Sequence, residues 1–307
     1  MNRNAVALAR VALYLAGVVV LGCLMAPVLF RAGNGLAQAG VLPFLEGFPF
    51  HRYFSRSMQI AALVLLWPAF RWVGLSRLSD LNLLPDGRRW RHLASGVFFA
   101  LLPVVVLGVS YVIFDVYRMR GEPAFSGLLR IVGTASVVAV IEEFLMRGVV
   151  LGLLLRAVGP PAAVVVSSVV FAGVHFMKVA RSGEAVEVTW LSGFQQLPLV
   201  FSAAPEWPLL GWGIASLFVA GVILALVTLR TRSLFAAIGL HAGWILGQQG
   251  IQWMAKYAVA PPLGLLPWVG PNVVSGAVPT GIVPLVTLLV CGAGMFFVLR
   301  REMEGHR

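Results

Sequence analysis

Three ionisable side chains fall within one octapeptide, Ile141-Glu142-Glu143-Phe144-Leu145-Met146-Arg147-Gly148, inside a run that is otherwise apolar from residue 131 to 155. On a soluble helix, Glu-Glu-x-x-x-Arg would be an ordinary solvated face. At the centre of a membrane helix, an ionised side chain costs about 2.5–3.5 kcal/mol even on the lenient insertion scale. Glu143 and Arg147 are four residues apart, so a helix brings them together and offsets much of that cost. Glu142 lies about 100° around the helix from Glu143 and has no partner within the motif. It is the carboxylate to follow.

Two histidines stand out against the same apolar background: His175, at the end of Phe171-Ala172-Gly173-Val174-His175, and His241, in Leu240-His241-Ala242-Gly243-Trp244. Gln248 follows His241 at i+7, on nearly the same helical face. A single intramembrane histidine is ordinary helix–helix glue. Beside an unpaired glutamate its meaning changes, because buried ionisable groups gather where they satisfy one another or line a water-filled cavity. At 1.5 Å per residue, Glu142 lies about 21 Å above Arg156 and His175 about 22 Å above Pro160, while His241 is about 14 Å above Arg232. The first two match in depth, and the third sits about a turn lower. Gly173, Gly239 and Gly243 are either positions at which helices approach closely or plain packing positions.

A glutamate with two neutral imidazoles in a restricted cavity can bind and polarise water, the carboxylate acting as general base. The histidines would hold that water or stabilise the oxyanion formed when it attacks a carbonyl. Arg147, paired with Glu143, would orient the helix. This is the chemistry of acyl hydrolysis, most naturally of a peptide bond. The alternative is a Zn²⁺ site with Glu142, His175 and His241 as ligands. The helical zinc signature His-Glu-x-x-His does not occur, and no Ser or Cys has a recognisable nucleophile context.

The elements that must position these residues are membrane helices. The 307-residue chain is 59% hydrophobic and only 11% charged, with a mean hydropathy of +0.90. Soluble domains carry roughly 25% charged residues, so the composition predicts an all-α, polytopic transmembrane helical bundle. Apolar runs at 11–30, 57–73, 93–116, 128–155, 162–177, 209–229, 233–254 and a last one ending near 299 predict about eight spans. Together they form a single integral membrane domain, 1–307. The first is longer than a signal-peptide core and reads as an uncleaved span. The stretch 74–92 mixes leucines, arginines and a tryptophan, as headgroup-level segments do. Trp190 and Phe194 mark the 178–208 connection as partly interfacial or re-entrant. The net charge of +11 reads as loop-end Lys and Arg meeting membrane lipids rather than nucleic acid. Their distribution predicts both termini in the cytoplasm. Cys23 and Cys291 fall in apolar spans and read as buried hydrophobes.

Glu142-Glu143-x-x-x-Arg147, then Phe171-x-x-x-His175, then His241 in a later span, resembles the CPBP family of intramembrane proteases. That family includes the CAAX prenyl endopeptidases and bacteriocin-processing or immunity proteins. The resemblance covers about residues 128–254. It implies that Glu142 activates water and that Glu143 supports it and pairs with Arg147. His175 and His241 would line the water and oxyanion site, and Phe171 would shape the pocket. Family members are described both as metalloproteases and as metal-independent glutamic proteases; the metal-free form is the expectation here. The implied substrate is a membrane-anchored or lipidated peptide, and the implied location is a bacterial inner membrane. One departure is plain. The family's third motif continues His-x-x-x-Asn, and position 245 is Ile245, which can neither hold water nor donate to an oxyanion. Either Gln248, one further turn along the same face, replaces it, or the site is weakened or repurposed. The competing readings are a non-catalytic immunity or chaperone-like relative and, third, a transporter or proton relay, for which a second copy of the motif is missing.

Overall fold

The computed structural model describes residues 3–73, 87–121, 125–177, 187–273 and 280–304. Most of the stretch expected at headgroup level (74–86) and the first part of the long connection (178–186) lie outside the described residues. The chain is mostly helical, 77%, and divides into two compact units, Met1–Ser76 with Phe176–Ala204 and Arg77–His175 with Pro205–Arg307.

In the first unit, α1 (Arg3–Gln38) and α2 (Phe50–Val73) form an antiparallel hairpin closed through a 3₁₀ turn at Pro43–Leu45. Small residues make the crossing, since a Cβ on Gly22 would strike Met58 and one on Gly33 would strike Tyr53. The helix α2 begins seven residues before the apolar run predicts, because His51, Arg52 and Arg56 extend its first two turns. The short helix α7 (Ser192–Gln195) seats Gly193 on the backbone carbonyl of Cys23, halfway along α1. Phe194 and Leu197 pack there with Cys23, Ala26, Phe54 and Val200. The described part of the long connection therefore packs against the middle of α1.

In the second unit, α3 (Arg89–Ile113) is followed by β1 (Tyr117–Met119) and by α4 (Phe125–Glu143), which runs through a π-helical turn, Phe144–Val150, into α5 (Leu151–Ala157). Then come α6 (Pro160–His175), α8 (Trp207–Thr231), α9 (Phe235–Met254), β2 (Ala255–Tyr257) and α10 (Ile282–Glu304). The parallel helices α3 and α9 hold the unit together. Gly239, Gly243 and Gly247 repeat every four residues on one face of α9, and a Cβ on each would meet Leu93 O, Ala100 Cβ and Val104 Cγ1. Gly96 of α3 makes the reciprocal approach, under the carbonyl of Ala236. Such backbone contact is what small-residue stripes provide between membrane helices. Gly173 does not behave this way. It has open space where its Cβ would be, and α6 meets α8 through Ser168 against Gly221 instead.

The burial pattern is inverted relative to a water-soluble helix. On α3 the inward residues include Gly96, Ala100 and Gly108, whereas Phe98, Leu102, Val105, Val106 and Val109 point outward. Large apolar groups facing outward, with glycine and alanine at the closest inward contacts beside Val104, Leu107 and Tyr111, suit a lipid solvent, where tight packing rather than water exclusion joins helices. Among the described residues, four helices are long and apolar enough to cross a membrane: Ala9–Gln38, Arg89–Ile113, Trp207–Thr231 and Ile282–Arg300. At 16 residues, α6 is shorter, and α4 carries Arg130, Glu142 and Glu143 within its 19 residues.

Candidate active site

Three helices of the second unit bring the sequence-predicted residues together. Near the C-terminal end of α4 stand Glu142 and Glu143; the π turn that follows carries Arg147. A π turn widens the helix to i→i+5 pairing and is frequent at functional positions. Phe171 and His175 come from the last turn of α6, and His241 from the second turn of α9. The helices α4 and α9 lie antiparallel, with Ala135 and Ala139 of α4 packed on Ala242 and Ile245 of α9. One turn further along α4, Glu143 therefore meets His241. The one-turn difference in depth expected for His241 is absorbed.

Glu143 is wholly buried. Its Oε1 accepts from Arg147 Nη1 at 2.9 Å and from His241 Nδ1 at 2.7 Å. Arg147, 2% exposed, also donates from Nη2 to the carbonyl of Gly221 at 3.4 Å and stacks over the Phe171 ring at 4.3 Å. Phe171 in turn touches both imidazoles, with ring centroids 4.5 Å from His175 and 5.9 Å from His241. These contacts seal one side of the site with a charged pair whose hydrogen bonds join α4, α8 and α9, with α6 added through the Phe171 ring.

Glu142 faces the other side and keeps 26% of its side chain exposed. Its Oε2 lies 3.5 Å from His175 Nε2 and 3.8 Å from His241 Nε2. Both separations exceed a hydrogen bond. The imidazoles are fixed by their other nitrogens: His241 Nδ1 on the Glu143 carboxylate, His175 Nδ1 on the carbonyl of Phe171 at 2.7 Å. A carbonyl and an ionised carboxylate can only accept, so each Nδ1 carries the proton. Each Nε2 then presents a lone pair, or a proton when the ring is charged, toward Glu142.

Two imidazole nitrogens and a carboxylate are chemically a zinc donor set, but among the described residues no three His, Cys, Asp or Glu side chains are disposed to hold a metal ion. Ile245, 3% exposed, closes the floor between α4 and α9 as an apolar contact. Gln248 is buried two turns along α9 from His241, about 10 Å by helical rise, too far to act at the same point as Nε2 of His241. Sequence reasoning missed Gly221. Its carbonyl serves Arg147, while its missing side chain admits Ser168 of α6, whose Cβ lies 2.9 Å from the position a Gly221 Cβ would take. A backbone acceptor 74 residues away leaves no motif to read.

Residues 124–246 match the family described as type II CAAX prenyl endopeptidase Rce1-like. The match spans about two fifths of the chain and runs from α4 into α9, so it contains every residue of the cluster. The family resemblance carried by the three motifs is shown over that segment. The Rce1-like family is one of CAAX proteases, which supports a protease. With its apolar helices, the chain is an integral membrane protein. No curated protein and no solved structure matches it.

Proposed function

We propose that this protein is an intramembrane endopeptidase that hydrolyses a peptide bond of a membrane-associated or lipidated substrate, with Glu142 as the base that activates water. The observation that carries the reading is the placement of Glu142 Oε2 at 3.5 and 3.8 Å from two Nε2 atoms whose rings are held from behind. These spacings suit a water shared among the three groups, each at ordinary hydrogen-bond distance. Glu142 takes a proton as the water oxygen bonds to the scissile carbonyl carbon. The carbonyl π pair moves onto oxygen, and a protonated imidazole donates from Nε2 to the oxyanion. The carbonyl then re-forms, the C–N bond breaks, and the proton on Glu142 passes to the leaving amine. Glu143 is suited to support His241 in the charged form, as a carboxylate behind Nδ1–H does in histidine-assisted acyl transfer.

In this reading the catalysis is metal-free, the chain crosses the membrane about eight times as one membrane domain, and both termini face the cytoplasm of a bacterial inner membrane. The test is cleavage of quenched, lipidated peptides by the purified protein and by Glu142→Ala, with and without a chelator. Loss in Glu142→Ala with activity retained under chelation supports the glutamate-activated water. Loss under chelation moves the assignment to a metalloprotease. Binding of the peptides without turnover, with Glu142→Ala indistinguishable from wild type, makes the chain a non-catalytic relative.

A further inference from the structure

Far from the Glu–His cluster, α3 and α9 end together, and the chain segments that follow pair as an antiparallel ribbon: Tyr117↔Tyr257, Arg118↔Lys256, Met119↔Ala255. The ribbon is framed by Ala258 N donating to Val116 O at 2.9 Å and Arg120 N donating to Met254 O at 2.8 Å. Tyr117 and Ala255 are buried on one face, where Tyr117 stacks on Tyr111 at 5.5 Å and meets Tyr257 edge-on at 5.6 Å. Strand alternation puts Arg118 and Lys256 on the other face, directly opposite one another, and both are exposed.

Like charges directly across a ladder destabilise it, with Cβ atoms only about 5 Å apart. Among the described residues, neither Arg118 nor Lys256 meets a carboxylate within ion-pair distance. Asp115, on the preceding turn, is exposed and unpaired with either. The neighbouring phenols supply no counter-charge: burial pushes Tyr117 up to about 12 and Tyr257 upward as well, so both stay neutral. Among the described residues, the ribbon thus concentrates two positive charges with no carboxylate paired to either.

Depth says what would balance them. The outward apolar stripe of α3 runs from Phe98 to Phe114, about 24 Å by helical rise, most of a hydrocarbon core of about 30 Å. Arg118 follows four residues later, at headgroup level. Beside the ribbon, Ile113, Phe114, Met119 and Phe125 are all more than half exposed, an apolar surface beneath the charges. We propose that the Arg118–Lys256 cross-strand pair is a binding site for an anionic phospholipid, its phosphate between the two cations and an acyl chain along Ile113 and Phe114.

The test uses the full chain in neutral detergent micelles, titrated with phosphatidylglycerol, phosphatidylcholine or inorganic phosphate, reading lipid retention by native mass spectrometry and the melting temperature. A basic residue near an anionic lipid surface contributes about 1 kcal/mol. Arg118→Gln/Lys256→Gln should therefore bind phosphatidylglycerol about thirtyfold more weakly. Each single variant should lose about fivefold, which keeps the test open if the double variant does not fold. Lys256→Glu should melt higher than wild type in lipid-free micelles, by turning repulsion into a cross-strand ion pair, and should lose its response to phosphatidylglycerol. Equal retention of phosphatidylglycerol by wild type and the Gln variants, or of phosphatidylcholine and phosphatidylglycerol by wild type, overturns the proposal. Stabilisation by inorganic phosphate matching that by the lipid would also overturn it, leaving a small-anion site.

Discussion

Glu142 and Glu143 are neighbours in sequence and opposites in setting. Glu143 faces a closed region of the second unit, with no exposed surface, and one of its oxygens is shared by a guanidinium and an imidazole. Glu142 faces the open region, a quarter exposed, with its nearest polar atoms just beyond bonding distance. The contrast separates two tasks that three ionisable groups in six residues share. A carboxylate gripped through one oxygen by a guanidinium and an imidazole holds geometry even though its other oxygen is buried without a partner, and one with its bonds unmade has capacity left for a substrate. The sharpest way to break the comparison is to exchange the demands placed on each side.

The largest effect is expected at Glu142. Glu142→Gln keeps shape and most of the burial but removes the base, so turnover of a lipidated peptide should fall by about 10²–10⁴, the usual range for a general base. Its melting temperature should stay within a degree or two of wild type, because no hydrogen bond is lost. Turnover within tenfold of wild type would remove Glu142 from the chemistry.

Next comes the closed side. Arg147→Leu leaves Glu143 as a buried charge without its cation, a change that typically costs about 3–5 kcal/mol. Denaturant unfolding in mild detergent should register that loss. Glu143→Leu/Arg147→Leu removes both charges, and well-packed apolar replacements of buried pairs are often neutral, so most of the stability should return. Turnover should not return with it, since His241 would then lack the acceptor that holds its Nδ1–H. A double variant as unstable as Arg147→Leu would mean that the pair contributes more than mutual compensation.

How much of this was legible in the sequence follows from how local each cause is. The Glu143–Arg147 pair could be read directly, because i and i+4 on any helix are neighbours. The meeting of Glu142 with His175 and His241 could be anticipated from depth along the helices but not fixed, since depth does not set rotation. Rotation depends on which face each helix packs, and that is what separates Gly173 from Gly239 and Gly243. A glycine in an apolar run says that close approach is possible, and only the neighbouring helix decides whether it happens. Gly239 and Gly243 sit against α3; Gly173 faces outward. The π turn at Phe144–Val150 and the three-residue strands β1 and β2 left no periodic trace, because each is shorter than the windows in which periodicity is measurable. The helical character and the four most apolar helices were legible from composition alone, whereas α4 and α9 are diluted by the polar residues that give the site its chemistry.

A smaller effect should follow at Gly221, where the two sides of the comparison share one backbone. Its carbonyl accepts from Arg147, and its missing Cβ lets Ser168 approach. Gly221→Ala adds a methyl group into Ser168, so α6 must shift by a few tenths of an ångström, a strain of about 1–3 kcal/mol. Phe171 and His175 ride on α6, so turnover should fall several-fold while substrate binding changes little. The paired variant Ser168→Gly/Gly221→Ala, which moves the free space to the other helix, should recover part of both losses. An unchanged melting temperature in Gly221→Ala would show that the α6–α8 contact is looser than its geometry.

The smallest expected change tests the residue that departs from the family pattern. Ile245 packs on Ala135 and Ala139, one turn beneath the Glu143–His241 contact. It is one helical turn from His241 on the same face, near enough that a polar side chain there would border the site. Ile245→Asn places an amide among alanines, and a buried amide without a partner costs about 1–3 kcal/mol in proteins, which unfolding measurements would resolve. If Glu142 and the two imidazoles suffice, turnover should change less than tenfold, because residue 245 contributes only packing. A rise of a hundredfold or more would mean that an oxyanion donor was missing and that the natural chain works below its family's capacity. Ile245→Val separates the two contributions: it trims the same packing without adding a donor, so it should lose about 1 kcal/mol of stability with turnover unchanged.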